Sequence, residues 1–266
     1  MFRKAEKKPL ADLISLENNH ALITGSASGI GEAIAFRFAE AGADLELIDI
    51  DLKGLIRVKK ELSSFPVEIG IHKVDLAQKK EISSLWDELG DVDILVNNAG
   101  TYPEKDFLEI DEKFLKTVTD VNLNQVLWMS QRFISSRKGK GGNIINVASI
   151  EALLPFKEHL SHYSMAKAGV IALTRGLARD YGKDGLRANV IVPGGIITPG
   201  TMDMAKEIYK LRFDLVKTGL DFRSRLPLKR AGNPDEVARI ALVLASELSS
   251  YVTGALIPVD GGFLSA

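Results

Sequence analysis

Of the five tyrosines in the 266 residues, Tyr163 is followed four residues later by Lys167 inside a segment of helical period. Positions i and i+4 share one helical face, so this spacing presents a phenol and an ammonium together. A free tyrosine titrates near pH ~10, and acid–base work near neutrality needs a shift of roughly 3 units, about 4 kcal/mol of preference for phenolate. A neighbouring cation favours the charged phenolate, and Lys167 is expected to supply that bias. The apolar run 143–149 ends in Ser149, a hydroxyl able to polarise a substrate oxygen at the same edge of a sheet.

A second constellation lies near the start of the chain. Thr24, Gly25, Ser26, Ala27, Ser28, Gly29, Ile30 and Gly31 follow the apolar run 20–24 and precede a stretch of strong helix propensity, 32–41. In a strand–turn–helix of this kind Gly25 allows a tight turn, Gly29 admits a pyrophosphate to the backbone and Gly31 lets helix and sheet approach closely. The helix start adds free N–H donors and a partial positive charge. The glycine spacing departs from G-x-G-x-x-G, and the absence of a following Gly-Lys-Ser/Thr excludes a P-loop. Asp49 ends the second strand, where a carboxylate accepts hydrogen bonds from adenosine ribose hydroxyls and repels a 2′-phosphate. Ile50 and Asp51 follow it and the turn carries no Lys or Arg, so NAD(H) is the expected coenzyme and NADP(H) the alternative.

Other polar residues offer less. Glu158, His159 and His162 include histidines three apart, but no H-E-x-x-H or distant third ligand accompanies them, and no metal site is expected. Glu151, two residues past Ser149, either faces a substrate or is a solvated loop carboxylate, the commoner state.

These side chains need a scaffold, and the hydropathy pattern supplies one. Runs at 20–24, 44–49, 67–74, 94–97, 143–149, 187–192 and 255–260 alternate with helical stretches at 32–41, 52–62, 79–89, 114–133, 162–181 and 235–246. That alternation is the βαβ signature. Runs such as Ile94, Leu95, Val96 and Val190, Ile191, Val192 lack polar alternation, so both sheet faces are covered. The expectation is a single-domain α/β Rossmann fold, a doubly wound seven-stranded parallel sheet with ligands beyond the C-terminal strand ends. Residues 1–17 read as an extension with one short amphipathic helix, and 18–266 as the domain. The interruption at 194–230, with Met202, Met204, Ile208, Leu211 and Leu215, reads as a substrate lid.

Composition narrows the function further. Lys plus Arg number 34 against 35 Asp plus Glu, a balance that offers no general attraction to nucleic acid or an anionic membrane. There are no cysteines, which excludes disulfides, thiolate catalysis and Cys-based metal sites. No segment reads as a secretion signal or approaches the ~20 apolar residues of a membrane span, and the expected location is cytoplasmic.

Taken in order, TGSASGIG at 24–31, NNAG at 97–100, VNLN at 121–124, Ser149, YSMAK at 163–167, PGGIITP at 193–199, RAGNPDEVA at 230–238 and YVTGALIPVDGG at 251–262 resemble the classical short-chain dehydrogenase/reductase family. The resemblance spans about residues 18–263. It implies that Tyr163 is the general acid/base, that Lys167 binds the nicotinamide ribose and lowers the tyrosine pKa, that Ser149 orients the substrate oxygen and that Asn122 holds a water in a proton relay. It also implies coenzyme contacts from Asp75 and Leu76 at the adenine edge, from Asn98, Ala99 and Gly100, from Ser28 and Ile30 in the turn, from Pro193, Gly194 and Ile196, and from Thr198 at the carboxamide. A homotetramer or dimer built on the helices at 114–133 and 162–181 is implied as well. Three activities fit: a dehydrogenase of a secondary alcohol, sugar or polyol; a 3-oxoacyl-thioester reductase, for which Arg132 and Arg179 can dock an acidic acyl carrier; and a nucleotide-binding regulator without turnover.

Overall fold

A computed structural model describes residues 7–198 and 224–266; the helices expected between Met202 and Leu215, and with them most of the lid, lie outside the described residues. Seven strands, β1 (His20–Thr24), β2 (Asp44–Asp49), β3 (Ile69–Lys73), β4 (Ile94–Asn97), β5 (Gly142–Val147), β6 (Leu186–Pro193) and β7 (Leu256–Val259), form one sheet in the order β3-β2-β1-β4-β5-β6-β7. Every pairing is parallel. The chain therefore winds outward from β1 to β3, returns to lay β4 against the other side of β1, and winds outward again. The crevice between β1 and β4 is the point where ligands of such sheets sit.

Among the described residues the helices are α1 (Leu10–Ile14), α2 (Gly29–Glu40), α3 (Leu52–Glu61), α4 (Lys79–Glu88), α5 (Glu112–Thr119), α6 (Gln125–Ser136), α7 (Ser161–Tyr181) and α8 (Pro234–Ala245). Successive strand residues face opposite sides. Ala21 and Ile23 accordingly pack with Ile34 and Phe38 of α2, Leu55 of α3 and Val237 and Ala241 of α8. Leu22, between them, packs on the other face with Ile82 and Trp86 of α4 and Met129 and Phe133 of α6. Sequence explains the boundaries: Asn233 caps α8 in a full capping box with Glu236, followed by Pro at the first helical position, and Asp111 caps α5 by accepting from Phe114 N.

Two elements differ from the pattern in the sequence. The stretch 114–133 is not one helix: a π-turn, Asp120–Asn124, separates α5 from α6, because the buried Asn122 turns its side chain onto the backbone of Val118 and Thr101. The fifth strand ends at Val147, and Ser149 instead caps a short 3₁₀ turn, Ile150–Ala152, accepting from Glu151 N. The extension does form a short helix, α1, and is fastened by Leu16, 1% exposed, and by an ion pair from Lys8 to Glu247.

Across β1–β3 a carboxylate bridges two histidines: Glu46 Oε1 lies 3.1 Å from His20 Nε2 and Oε2 lies 2.6 Å from His72 Nε2. Burial works to raise the Glu46 pKa, but the hydrogen bonds from both histidines outweigh it and hold the carboxyl at about 2. A depressed folded-state pKa gives stability that is present above the unfolded value and is lost as pH falls through the folded one. Glu46→Gln is therefore expected to lower unfolding free energy by on the order of 2 kcal/mol at pH 6, with the difference from wild type shrinking toward pH 2–3 in urea titrations.

Candidate active site

The turn after β1 is built for close approach. Gly25 has φ 66, and a side chain there would strike Ala99 Cα at 2.8 Å and Asn98 Nδ2 at 2.9 Å; one at Gly31 would fall on the Gly25 carbonyl oxygen and lie 2.6 Å from Asn98 Nδ2. Gly29 opens α2, and Ser28 at its N-cap makes no side-chain capping bond, so the first amides of the helix keep their donors for a ligand. Asn98 braces the turn, donating from Nδ2 to Thr24 O at 3.0 Å and Gly25 O at 3.1 Å. Thr24 Oγ1 accepts from both Asn98 N and Ala99 N at 3.0 Å. Asp49 is fixed by Ala27 N on Oδ2 and Asp51 N on Oδ1, each at 3.0 Å. Arg57 of α3 reaches the same turn at Ala27 O, 2.9 Å, while both its terminal nitrogens are held by Glu32.

From Ile30 a cleft of about 250 Å³ runs past Asn98, Gly100, Ser149, Tyr163 and Lys167 to Pro193, Gly194, Ile196 and Thr198. Ten of the expected residues thus share one cavity at the C-terminal sheet edge. Gly25, Ser28, Gly29, Gly31, Asp49 and Ala99 stand in the adjoining turns and strand end, while Asp75 and Leu76 sit in the loop after β3. There the Asp75 carboxylate accepts from Ala77 N and Leu76 is buried in the core. A wider cleft, of about 890 Å³, opens at the opposite edge beside Asn19, Arg187 and Tyr251. Its Arg187 is spent on the carbonyls of Ser249, Val252, Ala245 and Ser246, and none of the chemistry read from the sequence faces it.

Helix α7 sets Tyr163 and Lys167 side by side, with Lys167 Nζ 5.8 Å from the Tyr163 ring centroid. Nζ is 3% exposed with its residue and donates to Val147 O at 2.9 Å. Burial lowers the Lys167 pKa to about 8. The expected acidification of Tyr163 is not what the chain alone produces: burial pushes its phenol up to about 12, and the Ser149 hydroxyl only partly offsets this. The ammonium bonds to a carbonyl instead of the phenol, so desolvation dominates. The water-holding role implied for Asn122 does not fall to its side chain, whose Nδ2 donates to Thr101 O and Val118 O and whose Oδ1 accepts from Thr101 N. A side chain at Gly100 would meet Asn122 Oδ1 at 2.9 Å and Lys167 Nζ at 3.3 Å, which puts those two groups on either side of one backbone position.

The remaining candidates separate. His159 precedes α7 with φ 61 and lies 3.8 Å from Asp106, whereas His162 is buried against Phe114 with Nε2 on Pro103 O; the two do not share a helical face. Arg132 is tied to Asp87 and Ser83 O across α4, and Arg179 is exposed. Glu151 is not a solvated loop carboxylate: it is 9% exposed and lines the cleft. Tyr102, which no motif marks, stacks edge-on against Tyr163 at 6.1 Å and lines the same cavity; its place two residues after NNAG is the one signal in the sequence.

A parallel sheet with a phosphate-ready turn beside a Ser–Tyr–Lys cleft defines a dinucleotide-dependent enzyme scaffold. A family described as enoyl-(acyl carrier protein) reductase matches residues 25–264, and the chain belongs to the short-chain dehydrogenase/reductase family. It is 34% identical over 254 residues to the 3-oxoacyl-(acyl-carrier-protein) reductase of Thermotoga maritima, covering 94% of this chain and 99% of that one. It is 35% identical over 251 residues to galactitol 2-dehydrogenase (L-tagatose-forming) of Cereibacter sphaeroides, covering 93% and 96%. Among solved structures, a candidate NAD(P)-dependent gluconate 5-dehydrogenase from Beutenbergia cavernae, with NADP bound at low occupancy, matches with a TM-score of 0.87 at 29% identity over 96% and 100% of the two chains.

Gly31→Ala is expected to displace the turn and weaken NADH binding by at least about tenfold, ~1.4 kcal/mol, in a fluorescence titration, with far-UV circular dichroism close to wild type.

Proposed function

We propose that this protein oxidises a secondary alcohol, or reduces the matching ketone, with a nicotinamide dinucleotide as hydride partner. The observation that carries the reading is a phenol, an ammonium and a serine hydroxyl lining one cleft that reaches the free N-terminal amides of α2. The turn fits the coenzyme: Gly25 and Gly31 leave no room for side chains, and the helix start is uncapped. When bound, the coenzyme supplies the hydride chemistry and, oxidised, a positive ring.

The chain's own groups handle the proton and the geometry. Ser149 donates a hydrogen bond to the substrate oxygen, and Tyr163 gives its proton to that oxygen in reduction or takes it in oxidation. With a phenol pushed to about 12, Tyr163 is held as an acid, and a second cation beside it has to contribute before it serves as a base. Lys167, buried and titrating near 8, keeps the ammonium that favours phenolate only below that pH. Its Nζ is directed to the backbone end of β5, where a ribose hydroxyl can replace or join Val147 O as partner. A relay water beside Asn122 would bind main chain, where the π-turn disrupts the regular i→i−4 bonding.

We read NAD(H) as the preferred coenzyme. Asp49 points its fixed carboxylate at the turn, and the cation nearest in that turn, Arg57, is already neutralised by Glu32 and Glu61. A 2′-phosphate would meet negative charge there. Self-association through α5–α6 and α7 is supported by the exposed apolar residues Leu115, Leu127 and Met165 on those helices; no described helix is long and apolar enough to cross a membrane. The second reading, reduction of 3-oxoacyl thioesters, is supported by the Thermotoga relative.

Tyr163→Phe is expected to lower kcat in both directions by more than ~100-fold while NADH titrations stay within twofold or so of wild type; full turnover by that variant overturns the proposal. Steady-state kinetics should give a kcat/KM for NAD(H) at least about tenfold above NADP(H), and Asp49→Ser should narrow that ratio. Parallel assays of secondary alcohols and of an acetoacetyl thioester separate the two readings by the larger kcat/KM.

A further inference from the structure

Glu151 is a carboxylate buried beside the reacting groups, and among the described residues no ion pair holds it. Its two oxygens are held at 3.1 Å by the backbone amides of Phe156 (on Oε2) and Lys157 (on Oε1). The Lys157 ammonium, whose charge favours the ionised carboxylate from a distance, is itself hydrogen-bonded to Glu104. An ionised carboxylate accepts along about four lone-pair directions; the two amides use one on each oxygen, and the residue lines the cleft with Ser149, Tyr102 and Tyr163. A buried charge gains from every further donor that reaches it.

We propose that Glu151 is a specificity residue that accepts a hydrogen bond from a second hydroxyl of the substrate, next to the reacting carbinol, so that neutral vicinal diols of the polyol or sugar class are preferred. The proposal rests on the alcohol-oxidoreductase reading above. Burial raises the Glu151 pKa, against the two backbone amides that lower it, and its charge in turn opposes phenolate on Tyr163. A hydroxyl donated to Glu151 supplies a donor that its buried charge lacks. Tyr102, half-buried and edge-on to Tyr163, adds an aromatic wall against which the carbon face of such a substrate packs. A simple alcohol and a 3-oxoacyl thioester bring no second hydroxyl, and a sugar acid whose carboxylate falls there meets like charge.

The test is a substrate series with the intact enzyme: 2,3-butanediol against 2-butanol, and galactitol against gluconate, each with saturating coenzyme. The wild type is expected to show a kcat/KM for the diol at least about tenfold above the monol, carried mainly by KM, and galactitol above gluconate. In Glu151→Gln the diol-to-monol ratio should fall toward one and gluconate should gain on galactitol. Equal kcat/KM for diol and monol in the wild type overturns the proposal without needing the variant, as does a variant in which all four substrates lose kcat/KM by one common factor, the mark of a loop brace. Oxidation of monol and diol alike leaves the proposed reaction standing while removing this inference; turnover of none of the four, and of none of the matching ketones, removes both.

Discussion

The cost of burying the Lys167 ammonium governs this site. Among the described residues no carboxylate pairs with it; it donates to a neutral carbonyl at the end of β5, and a charge so placed gives up hydration for little return. Burial weakens both members of the Tyr–Lys pair. The lysine is only marginally protonated at mildly alkaline pH, and the tyrosine beside it, also desolvated, is a weaker acid than free tyrosine. Both groups are left unfinished by the protein, and in the proposed reaction both would be completed by the same visitor, the coenzyme, which would bring hydroxyls for the ammonium and a positive ring near the phenol. Such a pocket would select its coenzyme through electrostatics as well as shape.

The scaffold makes that arrangement possible because it separates strength from function. Strand faces are saturated with Ile, Leu and Val packed on helices from both sides, and the polar side chains collect where the strands stop. The crossover between β1 and β4 opens the crevice, β5 delivers Ser149 just past its end, and the 21-residue α7 carries Tyr163 and Lys167 in its first turns. Each comes from a different element, so the distances among them are set by sheet register and helix packing.

Much of this was legible beforehand, for physical reasons. All seven strands and the order of helices follow from apolar runs too continuous for half-exposed strands, and the Tyr–Lys pairing follows from helical periodicity, which is local. What escaped depends on contacts across the fold. The π-turn that splits 114–133 arises from Asn122 reaching Thr101, a partner 21 residues away in sequence. The direction of the Tyr163 shift needed burial, which spacing does not encode, and the same is true of Glu151, whose carboxylate is folded under its own loop by two amides. Tyr102 carries no periodic signal at all.

Thr24 gives the crevice a property of its own. By accepting two successive amides from the strand-end across from it, with Asn98 returning two bonds to the glycine turn, it welds the β1 and β4 loops into a single rigid jaw. A dinucleotide entering or leaving would have to break four hydrogen bonds to part that side, so opening at the facing lip, which includes 194–198, would cost less. Turnover limited by coenzyme departure would then be tuned by residues on that lip, remote from the phosphate cradle itself.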